Sequence, residues 1–244
     1  MKRIIAAVLT AMLLLSGFGC AAITTVRYAN ADSYASGDFT YEEGAVKKVE
    51  IDWIAGNITL EPGAGTLSVS EQSSGSLSDA RRLHWWLDGT TLHIRYCKSG
   101  ERIRTTEKKD LTVELPAGAD LEIDIASGKV AGEAPLDLGA VRIDTASGGV
   151  KIETLNAKSV RVDSASGGIT LGLKEVGSVD VDVVSGGVKL RLIDKDAGAA
   201  IRHSAVSGTF TCSLPYEKSG GTYTIGRGEI PIEIEAVSGN VTVE

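Results

Sequence analysis

Residues 141–152 read VRIDTASGGVKI, and residues 160–171 repeat them closely as VRVDSASGGITL. The Ser-Gly pair inside this segment occurs six times in the second half of the chain. Successive serines are 20, 19, 19, 22 and 31 residues apart: Ser127, Ser147, Ser166, Ser185, Ser207 and Ser238. A nearly constant period of about 20 residues indicates an architecture of stacked coils, in which each repeat adds one structural unit.

Each repeat alternates apolar and polar residues on both sides of its Ser-Gly pair. With the serine as position zero, positions −6 and −4 are aliphatic, as in Val160 and Val162, and so are positions +3 and +5, as in Ile169 and Leu171. Alternation with a period of two is typical of a strand that buries one face. The glycines suit a tight turn that needs a positive φ. Each repeat is therefore predicted to be a strand, a turn and a second strand.

The same pattern occurs earlier with Ala55-Gly56 in place of Ser-Gly. We therefore predict an all-β fold: a single-domain parallel β-solenoid of about seven short coils. Residues 66–114 interrupt the repeat, and Asp88-Gly89 between two alternating segments predicts a β-hairpin. We expect this hairpin to cap the N-terminal end of the solenoid. If the coils stack in sequence order, His203 lies in the core between Val181 and Ile234.

The first residues resemble an export signal. Lys2 and Arg3 precede an apolar run over residues 4–15, which is too short for a membrane span. Small residues then lead to Cys20, an arrangement that resembles the lipobox of bacterial lipoproteins and implies cleavage before Cys20 and lipid attachment to its thiol. The predicted organisation is a lipoprotein-type signal peptide over 1–19, the lipidated Cys20 with a flexible tether over 20–45, and the solenoid domain over 46–244. The last part of the tether, around Phe39 and Tyr41, is a candidate to pair on the first edge of the solenoid.

Two other treatments of the N-terminus stay open: cleavage after residues 29–31, or retention of residues 4–23 as an uncleaved anchor. All three place the C-terminal body outside the cytoplasm, since positive charge stays inside. We therefore expect an extracytoplasmic protein that is held at the cell membrane or envelope surface by an N-terminal lipid or anchor.

Charge limits the classes of partner. The 244-residue chain has a formal net charge of −7, which argues against binding to nucleic acid and against a general attraction to anionic lipid. The expected partner is a surface glycan or a protein.

An acidic residue recurs at position −3 of the repeat, which points outward. The residues at this position are Asp52, Asp124, Asp144, Asp163, Asp182, Ser204 and Glu235. Stacked coils would place successive members about 4.8 Å apart. Carboxylates this close repel one another, so they need solvent, turn N–H groups, arginine partners or a cation to offset the repulsion. Arg142 and Arg161 at position −5 are suitable arginines.

The four consecutive aspartates, Asp124, Asp144, Asp163 and Asp182, are therefore a candidate ligand or cation column. A calcium-type site is disfavoured because no loop gathers six or more oxygen ligands. The separation of Asp144 and Asp182 approaches that of the carboxyl pair of an inverting glycosidase, but the repeat alone accounts for both residues. We predict no catalytic residue, no metal site and no cofactor.

Trp85 and Trp86 are adjacent in a predicted strand, so one of them must point outward. The outward tryptophan is a candidate contact for a glycan or a partner protein, and the alternative is that it covers the end of the solenoid. The chain contains three histidines, and no two have the spacing of metal ligands. Export would permit a disulfide between Cys97 and Cys212, although their predicted positions favour buried free thiols.

Three segments carry a family resemblance: residues 49–58 (VEIDWIAGNI), residues 92–98 (LHIRYCK) and the later Ser-Gly-Gly-Val repeats. They resemble the DUF4097 family of bacterial proteins, which are mostly exported or membrane-associated and are labelled adhesins. The resemblance covers about residues 45–244 and implies a non-catalytic adhesin or surface interaction module. Some relatives are tied to envelope stress, so the alternative is a sensory or regulatory protein that acts through a protein partner. A polysaccharide-active enzyme is the remote alternative.

Overall fold

The computed structural model describes residues 23–42, 44–104 and 106–244. The predicted signal peptide and Cys20 lie outside the described residues. Regular structure is almost entirely β, which confirms the all-β prediction, with short 3₁₀ helices at Ala31–Ser33 and Asp79–Arg81. The strands are β1 Ile23–Thr25, β2 Ala35–Ser36, β3 Phe39–Glu42, β4 Lys48–Ala55, β5 Ile58–Pro62, β6 Thr66–Ser73, β7 His84–Asp88, β8 Thr91–Arg95, β9 Arg102–Arg104, β10 Lys109–Leu115, β11 Asp120–Ser127, β12 Val130–Gly132, β13 Leu136–Ser147, β14 Val150–Ser166, β15 Ile169–Val176, β16 Val179–Ser185, β17 Val188–Leu192, β18 Ala199–Ser207, β19 Phe210–Cys212, β20 Tyr216–Ser219, β21 Thr222–Ile225, β22 Ile230–Ser238 and β23 Val241–Val243.

The strands before the Ser-Gly turns pair side by side in parallel. This main ladder runs in the order β8, β4, β11, β13, β14, β16, β22 and β18. Its register aligns equivalent repeat positions, so that Ser127 pairs with Ser147 and Ser185 pairs with Ser238. The strands after the turns form a second parallel ladder in the order β5, β12, β14, β15, β17, β23 and β19.

The sheet as a whole is mixed rather than purely parallel. Antiparallel pairs occur at the two ends of the ladders, where β7 pairs with β8, β6 pairs with β10, and β21 pairs with β18. β7 and β8 are the two strands of one hairpin, which necessarily run antiparallel, and β21 belongs to a second hairpin with β20.

The last two repeats do not stack in sequence order. Ile234 of β22 pairs with Val181 on one side and with His203 on the other, so the expectation that His203 lies between Val181 and Ile234 is wrong. The 31-residue spacing contains the hairpin of β20 and β21, which packs on the far side of β18. The chain then returns between β16 and β18, and β18 becomes the last repeat strand of the main ladder.

The glycine after each serine lies where two coils approach most closely. Gly167 has a φ of +144°, and a Cβ added to it would lie 1.6 Å from the carbonyl oxygen of Gly148. The equivalent glycines on either side, Gly148 and Gly186, have φ values of +147° and +149°. Only glycine combines this backbone conformation with this close approach.

The inward side chains form one continuous core. Ile143, Val162 and Val181 occupy one column and are fully buried. Burial of each such side chain stabilises the fold by roughly 1.5–3 kcal/mol, and neighbouring coils bury one another. Two hydroxyls interrupt this core: Thr145 and Ser164 pair in register, and neither hydroxyl has a hydrogen-bond partner among the described residues.

The predicted hairpin lies at the N-terminal end of the main ladder. β7 and β8 pair antiparallel, and β8 lies parallel to β4. Beneath them, the ammonium group of Lys109 donates hydrogen bonds to Glu71 Oε2 at 2.7 Å, to the Arg81 carbonyl at 2.9 Å and to the Tyr96 carbonyl. Burial lowers the pKa of Lys109, and the Glu71 carboxylate opposes that effect.

Residues 23–42 pair with this end of the molecule rather than forming a free tether. β1 pairs with β9, β2 with β7, and β3 with β6. The physical reason is aromatic packing: Phe39 stacks on Trp85 at 4.2 Å between ring centroids, and Tyr34 contacts Trp86 at 5.7 Å. The domain boundaries predicted at residues 19 and 45 stay predictions.

Candidate functional site

The structure brings the four predicted aspartates into one column on the outward side of the main ladder. Asp124 pairs with Asp144, Asp144 with Asp163, and Asp163 with Asp182. The column continues to Asp52 at one end and to Glu235 at the other. Six carboxylates therefore follow one another at the strand spacing of about 4.8 Å. We call the outward side of β8, β4, β11, β13, β14, β16 and β22 the charged face.

Two arginines bridge carboxylates within this column. Arg142 contacts Asp144 at 2.6 Å and Asp163 at 3.3 Å. Arg161 contacts Asp163 at 2.7 Å and Asp182 at 2.8 Å, and it also pairs with Asp180. These side chains lie at position −5, where the sequence predicted arginine partners. The aspartates thus bind arginines, rather than turn N–H groups, in the contacts that the structure describes.

Several aspartates of the column bind protons more tightly than an isolated aspartate does. Burial and a hydrogen bond with Asp163 together raise the pKa of Asp144 to about 7, although Arg142 opposes the shift. Burial and the neighbouring charges of Asp180 and Asp163 raise the pKa of Asp182 to about 6. Burial also raises the pKa of Asp52 to about 6, although Arg95 opposes that shift.

Arginine contacts and an intervening carboxylate separate the two aspartates that were considered for glycoside hydrolysis. Asp163 stands between Asp144 and Asp182, the two carboxylates considered for glycoside hydrolysis, and arginines contact both. Within residues 23–42, 44–104 and 106–244, no group of three or more His, Cys, Asp or Glu side chains is placed to hold a metal ion. The charged face therefore presents ion-paired carboxylates and guanidinium groups at the surface.

The two predicted tryptophans lie on opposite faces of β7. Trp85 packs toward the core, where its indole N–H donates to the Gly37 carbonyl at 3.1 Å. Trp86 lies on the charged face, and its half-buried ring stacks on His93 with 5.6 Å between ring centroids. His93 in turn contacts Glu50 at 2.8 Å, so Trp86 is continuous with the carboxylates of β4. Trp86 is thus the tryptophan that points outward.

Two tyrosines next to Trp86 were not identified from the sequence. Tyr34 contacts Trp86, and Tyr28 packs on Tyr34 with 4.6 Å between ring centroids. Both lie in a segment without periodicity, where no pattern predicts pairing with the hairpin. Together Tyr28, Tyr34 and Trp86 form an aromatic cluster at the N-terminal end of the charged face.

A polar depression of about 690 Å³ lies at the corner next to the first Gly turn. Its lining includes Asn57, Gln72, Lys108 and Asp110. Asp110 Oδ1 accepts a hydrogen bond from the Asn57 N–H at 2.7 Å, so this carboxylate holds the turn in place. Elsewhere Cys97 is a buried free thiol, whereas the free thiol of Cys212 is half-buried.

The chain is similar to several solved structures of bacterial proteins. A "putative cell adhesion protein" of Clostridium sporogenes is 15% identical over 85% of this chain and 98% of that chain, with a TM-score of 0.46. A "putative adhesin" of Bacteroides fragilis is 15% identical over 84% and 95%, with a TM-score of 0.43. A "putative lipid binding protein" of Parabacteroides distasonis is 13% identical over 85% and 97%, with a TM-score of 0.42.

The search of curated proteins gave no significant match. Among the described residues there is no helix with the length and apolar character needed to cross a bilayer. The family model described as Toastrack DUF4097 matches residues 46–172 and again residues 136–244, a span that includes both parallel ladders. On this match the chain belongs to the Toastrack DUF4097 family.

Proposed function

We propose that this protein is an exported, envelope-anchored and non-catalytic β-solenoid of about seven coils that acts as an adhesin-like surface interaction module. The observation that carries the proposal is the charged face: an extended array of carboxylates with an aromatic cluster at one end. Membership of the DUF4097 family supports the same role, because the resemblance to that family implies a surface protein.

The chemistry of the charged face selects the class of partner. Ion-paired carboxylates are good acceptors for hydroxyl and ammonium groups. An adjacent aromatic ring adds an apolar platform for a sugar ring or an aliphatic side chain. A hydroxyl-rich glycan or a basic protein surface therefore suits this face.

The proposed anchor is the lipidated Cys20, after removal of residues 1–19. Its position agrees with the fold, since β1, β2 and β3 pair at the capped end of the ladders. The opposite end, at β18, would then project away from the membrane. Replacement of Cys20 by alanine is expected to release the protein from the membrane fraction, and retention of that variant in the membrane would favour an uncleaved anchor.

Binding measurements test the recognition role. Protein purified from cells that express the full chain is applied to host cells, matrix proteins and immobilised glycans. Trp86→Ala and the double variant Asp144→Asn/Asp182→Asn are each expected to weaken binding by about tenfold or more, whereas Asp137→Asn, an exposed position on β13, is expected to leave it unchanged. If none of these variants loses binding, the charged face is not the binding surface.

A second arm separates the alternatives. Capture of a membrane regulator from the protein's own cell, without binding to any external surface, would favour the sensory role. Polysaccharide cleavage that is abolished by Asp144→Asn or Asp182→Asn would instead establish an enzyme.

A further inference from the structure

The two ends of the main ladder are covered to different extents. At the N-terminal end, β8 is paired over its full length with β7. At the other end, the hairpin of β20 and β21 pairs only with residues 199–202 of β18. Residues 203–207 of β18 and the whole of β19 pair on one side only, with β22 and β23, among the described residues. We call the outer side of residues 203–207 and 210–212 the free edge.

The free edge lacks the charged residues and prolines that often protect an exposed strand. Residues 203–215 read HSAVSGTFTCSLP and contain no Asp, Glu, Lys or Arg. The free edge contains no proline, and the pairing of β18 with β22 is continuous in register through residue 205. Val206, near the centre of the free edge, is 68% exposed. A neutral edge without lysine, proline or a bulge can act as a template for a further strand.

The repeat itself changes at this edge in a way that concerns charge. Position −3 is acidic in six strands of the main ladder. In β18, the strand of that ladder that carries the free edge, the same position is Ser204. A second copy of a chain with a net charge of −7 would be repelled by an acidic edge, whereas a neutral edge removes that repulsion. The loss of the carboxylate therefore favours a second copy of this chain as the occupant.

The covered end determines the symmetry of such a contact. Head-to-tail stacking would require the free edge of one copy to pair with β7, which is the outer strand at the N-terminal end of the next copy. Among the described residues, only residues 86–88 of β7 lack a second pairing partner, and Asp88 there is charged, so β7 offers a shorter and less neutral edge. Two identical free edges can instead meet about a two-fold axis, which makes the new strand pair antiparallel and closes the assembly at two copies. Centred on Ala205, this pairing places Ser204 opposite the partner's Val206.

We propose that two copies of this protein bind each other, free edge to free edge, to form a two-fold dimer. Eight edge residues a side are fewer than the roughly 20–30 of a standard interface, so the dimer in solution is weak, with a Kd on the order of micromolar to millimolar. Many copies on one surface strengthen the contact through avidity.

The dimer gives the adhesin-like role a partner, and this extension rests on the proposed function. With both copies anchored near their N-terminal ends, the free edges are the outer tips. Two tips that meet then connect two facing surfaces, so the partner is the same protein on a neighbouring cell.

Sedimentation velocity over a concentration series tests the dimer on protein purified from cells that express the full chain. The wild-type protein is expected to shift from monomer to dimer as its concentration rises. Val206→Asp places two carboxylates on diagonal positions about 7–8 Å apart in the dimer and is expected to raise the Kd at least tenfold. Val184→Asp, at the same repeat position on β16, is the matched control and is expected to leave the Kd unchanged. Thermal unfolding checks that both variants fold.

Three results would overturn the inference: a wild-type protein that stays monomeric up to about 1 mM, a dimer that Val206→Asp leaves intact, or equal loss in the two variants. Cell aggregation provides the independent arm. Cells that express the wild-type chain are expected to aggregate with each other but not with cells that express Val206→Asp. If the protein binds host material but neither dimerises nor aggregates cells, the dimer is contradicted and the proposed function still holds. A dimer that binds nothing else would keep the inference and contradict heterophilic adhesion.

Discussion

At the scale of single residues, the two adjacent glycines of each Ser-Gly-Gly turn have different roles. Gly167 has a φ of +144° and faces the Gly148 carbonyl oxygen, which a Cβ would approach to 1.6 Å. For Gly168, the nearest neighbour of an added Cβ is the Gly187 carbonyl oxygen at 3.9 Å, an ordinary van der Waals distance. The sequence predicts a glycine turn here, but it does not distinguish the glycine that the backbone requires from the one that it merely tolerates.

Substitution of these two glycines should therefore give different results. Gly167→Ala forces two coils apart and is expected to lower the free energy of unfolding by about 4 kcal/mol or more. Gly168→Ala is the matched control and is expected to change it by no more than about 1 kcal/mol. Urea unfolding followed by circular dichroism measures both, and equal losses would contradict the close approach at the turn.

The buried hydroxyl of Thr145 is expected to destabilise the fold. Its side chain is 5% exposed, and its Oγ1 has no partner among the described residues. Thr145→Val removes an unsatisfied polar group at nearly constant volume, so the free energy of unfolding should rise by about 1 kcal/mol. Thr170→Val, at a half-buried position on β15, should change it by about 0.5 kcal/mol or less. A destabilised Thr145→Val variant would indicate a partner that the described contacts lack.

At the scale of elements, the acidic column couples stability to pH. Asp144 faces Asp124 and Asp163 on the neighbouring strands, with Arg142 and Arg161 beside them. Burial raises its pKa in the folded state from 3.8 to about 7. A raised pKa means that the folded state holds this proton more tightly, so its contribution to stability is complete below pH 4 and is lost as the pH rises through about 7.

Asp144→Asn should remove this part of the pH dependence. The wild-type protein is expected to lose stability between pH 5.5 and pH 8, by about 1–2 kcal/mol more than the Asn variant once solvent screening is allowed for. Chemical unfolding at the two pH values gives the difference. Asp137→Asn, an exposed position on the same strand, should keep the wild-type slope. Parallel slopes for the wild type and Asp144→Asn would show that Asp144 is ionised throughout.

The N-terminal cap depends on one buried ion pair. Lys109 and Glu71 have 3% and 4% of their side chains exposed, and their charged atoms are 2.7 Å apart. Lys109→Met leaves the Glu71 carboxylate buried without its cation and is expected to cost about 3–5 kcal/mol. Addition of Glu71→Gln should recover part of that loss, which thermal unfolding of the single and double variants would measure. An additive double variant would show that the two charges act independently.

The elements also show what the repeat could predict. Period-two alternation predicted the strands, their inward columns and the register that aligns Asp124 with Asp144, because every coil uses the same positions. It could not predict that β22 enters between β16 and β18, since a 31-residue spacing gives the length of an insertion and not its path. The Lys109–Glu71 pair was also missed, because 38 residues separate two side chains that only the cap brings together.

At the scale of the whole molecule, each coil contacts only its neighbours, so protection against local opening should fall from the middle of the ladders to their ends. Interior strands such as β14 are paired on both sides, whereas residues 203–207 are paired on one side only among the described residues. Nearest-neighbour stabilisation makes such an end strand open at a lower free energy than the interior.

Amide hydrogen exchange read by mass spectrometry can measure this gradient and the dimer together. In dilute solution, residues 203–213 should exchange fastest among the repeat strands, and β13 to β16 should exchange slowest. At high concentration, residues 203–207 should gain protection in the wild-type protein but not in Val206→Asp, because the new strand pair exists only in the dimer. Equal protection of residues 203–207 at both concentrations would show that the free edge stays unpaired in solution. Protection that appears instead in β7 or β8 would place the contact between copies at the capped end.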